Sequence, residues 1–163
     1  MTLQKDILYM REALKEAQRA FVADEVPVGC VIVHEGAIIA RAHNQMRMLK
    51  DPTAHAEMIA ITQAAGYLRA ERLHNCSVYV TIEPCPMCAG ALVWARVKRL
   101  AFAAHDEKAG ACGSVVNIVN NARLNHRVKT QCGILEKESQ ALMKEFFKRK
   151  RAQKRLDKAT KEA

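Results

Sequence analysis

Apolar side chains recur at Ile7, Met10, Leu14, Ala17 and Phe21. That spacing of three to four predicts an amphipathic helix over about residues 3–23. The period then shortens. Residues 28–33 (Val-Gly-Cys-Val-Ile-Val) are rich in β-branched side chains, and a second apolar run at 37–40 follows His34-Glu35-Gly36, which predicts a β-hairpin with glycine in the turn. Asp51-Pro52-Thr53 combines turn and helix-start residues, so a helix is expected over 54–65. Residues 77–81 read as a strand; Pro84 suits a first helical turn, and good helix formers continue to about Ala95. Residues 99–103 predict another strand, and 115–119 a short helix. A last strand is expected at 127–131, and a long helix from Leu135 onwards.

An opening hairpin followed by alternating helices and strands points to an α/β domain of three layers, α/β/α, around a central five-stranded mixed sheet. The 163 residues suffice for one domain with its own core. Neither an internal repeat nor a second domain is apparent. Residues 1–147 are expected to form the domain and 148–163 a basic C-terminal helical extension of it. No apolar run reaches bilayer length. The opening Met1-Thr-Leu-Gln-Lys-Asp lacks the order of a signal peptide, so no membrane association and a cytoplasmic location are expected.

Charge changes the picture at one end. The formal net charge is +9, and the last twenty residues hold nine Lys or Arg against three Asp or Glu, a net of +6. Such a cluster favours a polyanionic partner; the plain alternative is a solvated terminal helix.

Of the six cysteines only Cys85 and Cys88 are closely spaced. Cys30, Cys76, Cys112 and Cys132 lie scattered among apolar stretches and read as small core residues. His55-Ala56-Glu57 opens one expected helix and Pro84-Cys85-Pro86-Met87-Cys88 another, so both helix N-termini can converge at one end of a sheet, where positive dipole ends favour thiolates. One imidazole and two thiolates suit Zn²⁺, and three protein ligands leave a fourth position for water. Glu57, two residues beyond the histidine, is badly placed to ligate but well placed to move protons of that water. The order H-x-E…P-C-x-x-C resembles the signature of zinc-dependent nucleobase deaminases. A thioredoxin-like pair would need no His-x-Glu upstream, and a structural zinc site would need a fourth ligand such as Cys76 or Cys112.

Around these residues the chain resembles the bacterial tRNA adenosine deaminase family, within the cytidine deaminase-like superfamily. The likeness rests on Glu25-Val-Pro-Val-Gly29, His43-Asn44, Asp51-Pro-Thr-Ala-His-Ala-Glu57, Tyr79-Val-Thr-Ile-Glu-Pro-Cys85, Met87-Cys-Ala-Gly-Ala91, Asp106-Glu-Lys-Ala-Gly-Ala111, Gly113-Ser114 and Asn125-His-Arg127. The resemblance implies a cytidine deaminase-like fold and one zinc ion per subunit on His55, Cys85 and Cys88, with Glu57 as proton shuttle. It implies hydrolytic conversion of adenosine to inosine at the first (wobble) anticodon position, in the anticodon loop of a tRNA, by a homodimer.

By the same likeness Asn44 hydrogen-bonds the flipped base, Val26 and Pro27 shape the pocket wall, Ala56 and Pro84 lie at the substrate, and Asp106 and Lys108 lie at the pocket mouth. Lys148, Arg149 and Arg151 are the candidate RNA-backbone contacts, with Lys148 standing where an arginine is familiar. Cys30 and Cys112 also depart from the expected small residues. Each residue has a plainer reading: Asn44 can brace the hairpin end, Asp106 and Lys108 can be a solvated loop pair, Phe146-Phe147 reads as core packing, and Trp94 as core or dimer interface. The rival functions are a deaminase of a free nucleobase, nucleoside or nucleotide (guanine, cytosine or dCMP type), and a non-catalytic zinc-stabilised RNA-binding module.

Overall fold

The computed structural model describes residues 2–162; Met1 and Ala163, the outer ends of the two expected segments, lie outside the described residues. The elements run α1 (Leu3–Val22), β1 (Gly29–His34), β2 (Ala37–His43), α2 (Met46–Leu49), α3 (Ala56–Leu68), β3 (Ser77–Ile82), α4 (Pro86–Trp94), β4 (Arg99–Ala104), β5 (Lys129–Cys132) and α5 (Glu136–Glu162). The strands form one sheet in the order β2-β1-β3-β4-β5. β1 pairs antiparallel with β2 and β3, whereas β3–β4 and β4–β5 are parallel. This is the expected five-stranded mixed sheet.

Successive side chains of a strand face opposite ways, so β1 serves two cores at once. Cys30 and Ile32 join Val78, Val80, Leu100 and Phe102 on one face, against Ala56, Ala60 and Ala64 of α3 and Ala89 and Leu92 of α4. Val31 and Val33 face the other side with Tyr79, Ala101 and Ala103, against Tyr9, Met10 and Ala13 of α1. Helices therefore cover both faces of the sheet, and the three layers follow. The α1 layer sits directly on the β1 backbone. A Cβ at Gly29 would lie 2.0 Å from the Ala13 carbonyl oxygen, so only glycine permits this approach. At the hairpin tip Glu35 (φ 49°) and Gly36 (φ 83°) are both left-handed, the geometry that matches the twist of a two-residue hairpin.

The buried stripe of α1 is Asp6, Tyr9, Met10, Ala13, Glu16, Ala17 and Ala20, which carries two carboxylates the apolar pattern did not reveal. Asp6 is bound bidentately by Arg99 at 2.8 Å for both contacts and accepts the Tyr79 hydroxyl at 2.7 Å. Burial pushes the Asp6 pKa up, but the bonds from Arg99 and Tyr79 outweigh it and leave it below the ordinary 3.8. A carboxylate with a depressed folded pKa stabilises the fold above its ordinary value, and that contribution is lost as pH falls through the folded value. We expect Asp6→Asn to lower Tm clearly at pH 7, as breaking a buried pair costs about 3 kcal/mol or more. The gap to the parent protein should close as pH drops below the ordinary Asp value, measured by thermal melts between pH 7 and pH 2.5. A gap constant with pH would show that the Asp6 charge is not what is lost.

Several expectations need correction. α3 begins at Ala56, two residues late, because Ala54 and His55 remain in the entering turn; their N–H groups bond to the Asp51 and Thr53 carbonyls. Pro86, not Pro84, is the first residue of α4. Residues 115–119 are turn, with only an isolated bridge between Cys112 and Asn117. Asparagine side chains compete with helix there: Asn117 Oδ1 accepts the Asn120 N–H at 3.0 Å and Asn121 Oδ1 the Arg123 N–H at 2.9 Å. The last strand begins two residues late, and all its residues are exposed, Cys132 included, so that thiol is not a core residue. Trp94 is 80% exposed at the end of α4 and is not core. The long helix expected from Leu135 onwards is α5, which continues into the basic tail as expected. Among the described residues no helix is long and apolar enough to cross a membrane.

Candidate active site

Two helices start at one place. His55 is the N-cap of α3 and Cys85 the N-cap of α4, both with extended backbone, and Pro86 fills the position where a missing N–H costs nothing. The His55 Nδ1 lies 3.7 Å from Cys85 Sγ and 3.5 Å from Cys88 Sγ, and the three donor atoms are within 4.8 Å of one another. Tetrahedral zinc, with bonds of about 2.3 Å to sulfur and about 2.0 Å to nitrogen, would separate S and N donors by about 3.5 Å. Both separations fit that span. Neither Cys76 nor Cys112 joins the group, which holds three donors and no fourth among the described residues.

The two thiols are pushed in opposite directions. Cys85 is held down to about 4, first by the hydrogen bond it accepts from Cys88, then, against burial, by His55. Cys88 is pushed far up by donating that bond and by burial, and the Cys85 contact also raises His55. A coordinated divalent cation is the ordinary means by which two such thiols ionise together.

Glu57 is the second residue of α3, in its first turn, and is 3% exposed. Burial pushes its carboxyl up to about 7, with its own N–H and His55 opposing. Oε2 is buried with no hydrogen-bond partner among the described residues, and such an orphan oxygen calls for a functional explanation. His55, Glu57 and Cys85 line a cavity of about 1050 Å³. Val26, Val28, Asn44 and Met46 border it too, with residues 104–109 and Ser114, and a face of α5.

Residues 4–151 match the MafB19-like deaminase family. The tRNA-specific adenosine deaminase of Aquifex aeolicus (strain VF5) is 51% identical over 143 residues, 88% of this chain and 94% of that one. This chain belongs to the tRNA-specific adenosine deaminase family. The tRNA-specific adenosine deaminase of Bacillus subtilis (strain 168) is 44% identical over 153 residues, 94% of this chain and 95% of the relative. A structure solved in a study of A-to-I editing by tRNA:A34 deaminases at the wobble position superposes with a TM-score of 0.80 at 43% identity, over 83% of this chain and 98% of that one.

In this deaminase the other expected residues fall into distinct places. Asn44 braces and lines at once: its Oδ1 accepts the Ala56 N–H at 2.9 Å, fixing the start of α3, while the residue borders the cavity. Asp106 and Lys108 line the cavity, and Asp106 Oδ1 accepts the N–H groups of Lys108 (2.9 Å) and Ala109 (3.2 Å). Val26 is a wall residue, whereas Pro27, Ala56 and Pro84 are buried and are not among the lining residues. Lys148, Arg149 and Arg151 do not line it either. Arg149 bonds to the Phe21 carbonyl (3.0 Å) and Asp24 (3.1 Å) and lies over the Phe21 ring, docking α5 onto the end of α1. Phe146 is buried, as expected of core packing; Phe147 is not, and lines the cavity.

Sequence reasoning missed the α5 wall. Glu136, Ser139, Gln140, Met143, Lys144 and Phe147 repeat at three and one, a single helical face, and border the cavity together. The spacing was visible, but four of these six residues, Glu136, Ser139, Gln140 and Lys144, are polar.

Proposed function

We propose that this deaminase converts adenosine to inosine at the first anticodon position of a tRNA, with one zinc ion per subunit held by His55, Cys85 and Cys88. The observation that carries the reading is the buried, unpartnered Oε2 of Glu57 beside that donor set and at the wall of the cavity. When bound, zinc supplies a Lewis acid that brings the ionisation of water near neutral pH. Glu57 takes a proton from the attacking water and delivers it to adenine N1 as the water oxygen bonds to C6. It then takes the proton of the new C6 hydroxyl and gives it to the amino group, so that the C6–N bond breaks, ammonia leaves and the C6 carbonyl of inosine remains. A carboxyl already displaced towards neutrality is matched to giving and taking protons there.

Asn44, with Oδ1 committed to the Ala56 N–H, keeps its amide NH₂ for the base. Val26 and Val28 exclude water from one side. A base must leave its stack to enter such a cavity, which favours a loop over a duplex. We read residues 148–163 as part of the same domain, their basic side chains facing the RNA backbone. The exposed Trp94 and Tyr67 suit cover by a second copy, in the homodimer the family resemblance implies. A tRNA substrate supports the cytoplasmic location expected from the sequence.

The test is sequencing of a tRNA transcript after incubation with the zinc-loaded protein. Adenosine read as guanosine at the first anticodon position is the expected result. Unaltered tRNA alongside ammonia release from free adenosine, guanine, cytidine or dCMP would replace this reading with a free-base or nucleotide deaminase. Zinc retention and RNA binding without ammonia release would leave only a binding module.

A further inference from the structure

Beside the metal-ligand group lies a second carboxylate that proton transfer does not use. Glu83, between β3 and Cys85, is 1% exposed and points into the loop of residues 105–114. Its Oε1 accepts the N–H groups of Cys112 (2.9 Å) and Ser114 (3.1 Å). Its Oε2 accepts the Asp106 N–H (3.1 Å) and the Ser114 hydroxyl, and lies 3.3 Å from His105 Nδ1. Among the described residues no Lys or Arg pairs with it, so its charge is used up by loop donors. Charge-assisted bonds of this kind are stronger than neutral ones and are costly to lose in a buried place.

The loop is wrapped tightly on this carboxylate. A Cβ at Gly110 would lie 2.4 Å from Glu83 Cδ and Oε2 and 2.5 Å from the Asp106 carbonyl oxygen, so no other residue fits. The segment has no helix or strand of its own, only turns and the bridge at Cys112. Its remaining ties to the strand-to-helix corner include the Ala111 N–H bonded to the Pro84 carbonyl at 2.8 Å. Residues 106–109, held at the near end of this wrap, line the cavity.

We propose that Glu83 is a positioning residue: it fixes the 105–114 loop as a wall of the substrate cavity and so governs substrate binding rather than the chemical step. This rests on the reading of the cavity as the RNA site. It also accounts for a pairing in the sequence, since the Glu83-Pro84-Cys85 run and the Asp106–Ser114 run are far apart in the chain but meet through one side chain.

The test compares Glu83→Ala, Glu83→Gln and Ser114→Ala as zinc-loaded full-length proteins. Each is assayed for zinc content, amide hydrogen exchange over 105–114, and KM and kcat on an anticodon stem–loop RNA. Glu83→Ala is expected to raise KM by roughly thirtyfold, the scale of losing bonds to a buried charge. Its kcat should stay within about threefold, its zinc content should be unchanged, and the amides of Asp106, Cys112 and Ser114 should exchange faster. Glu83→Gln should recover most of the loss. Its carbonyl can serve Cys112 and Ser114, its NH₂ can face the Ser114 hydroxyl, and only the Asp106 amide is left opposed. Ser114→Ala, a milder change, should move KM and loop exchange in the same direction and keeps the idea testable if Glu83→Ala does not fold.

Unchanged loop exchange in these variants would overturn the proposal. So would faster exchange with unchanged KM, or a fall in kcat with loss of zinc, which would make Glu83 a support of the metal ligands. Failure of the parent protein to deaminate RNA would instead count against the function proposed above, and the exchange data, which need no substrate, keep the two apart.

Discussion

Glu57→Ala is expected to keep its zinc and lose about a thousandfold or more of its single-turnover rate. Positioned acid–base groups contribute about 10² to 10⁴ each, and this one carboxyl would act at the water, at N1 and at the leaving amine. The ligands are untouched, because Glu57 is separate from the His55–Cys85–Cys88 donor group. Folding should not suffer either. Oε2 makes no hydrogen bond among the described residues, so truncating this carboxyl gives up little bonding and relieves its burial. Glu57→Gln keeps the shape but cannot carry the proton, so it should be nearly as slow. Zinc content by atomic emission and single-turnover deamination of an anticodon stem–loop measure both halves. A variant with a near-parental rate would remove Glu57 from the mechanism. His55→Ala, by contrast, should lose metal and rate together, because it opens the donor set itself.

The metal-ligand group was legible in the sequence because each half is a local signal. Asp51-Pro52-Thr53 before His55 and the prolines on either side of Cys85 both mark helix starts, although Pro86 rather than Pro84 opens α4, and a ligand at an N-cap is fixed by two or three neighbours. The hairpin was legible for the same reason, as Glu35-Gly36 needs only its own left-handed geometry. What failed turned on local side-chain competition or on distant partners. The 115–119 run has helical apolar content, but its asparagines bond to nearby backbone and the chain turns instead. Asp6 and Glu16 spoil the apolar stripe of α1, and the first of them is explained by Tyr79 and Arg99, seventy-three and ninety-three residues further on. The α5 wall was invisible because a helix face that borders a wet cavity mixes Glu136, Gln140 and Lys144 with Met143 and Phe147. Hydrophobic periodicity finds faces buried in cores, not faces turned to substrates. Glu83 was quoted as part of a motif, yet its work is with residues 105–114, which no spacing rule connects to it.

Removing the chain after Phe147 is expected to weaken RNA binding by roughly a hundredfold at moderate salt and to flatten its salt dependence. The removed residues carry eight Lys or Arg against two Asp or Glu, so most of the net charge of +9 goes with them. Arg149 and Lys150 have prior engagements: both are paired with Asp24, which also holds Arg47. Lys148, Arg151, Lys154 and Arg155 are exposed along the same helix. If those four neutralise phosphates, the slope of log K against log salt should fall by about 3, at roughly 0.7–0.9 per contact.

Truncation also removes the Arg149 stack on Phe21, which helps to seat α5. A quadruple change of Lys148, Arg151, Lys154 and Arg155 to Gln keeps that anchor and separates charge from docking. It should reproduce the flattened slope, while kcat at saturating RNA stays near the parental value, because none of the four borders the cavity. Binding isotherms from 50 to 300 mM salt measure the slope. An unchanged slope in the quadruple variant would make the distal half of α5 a solvated helix, and would shift the search for phosphate contacts to the cavity rim, where Lys108 and Lys144 stand.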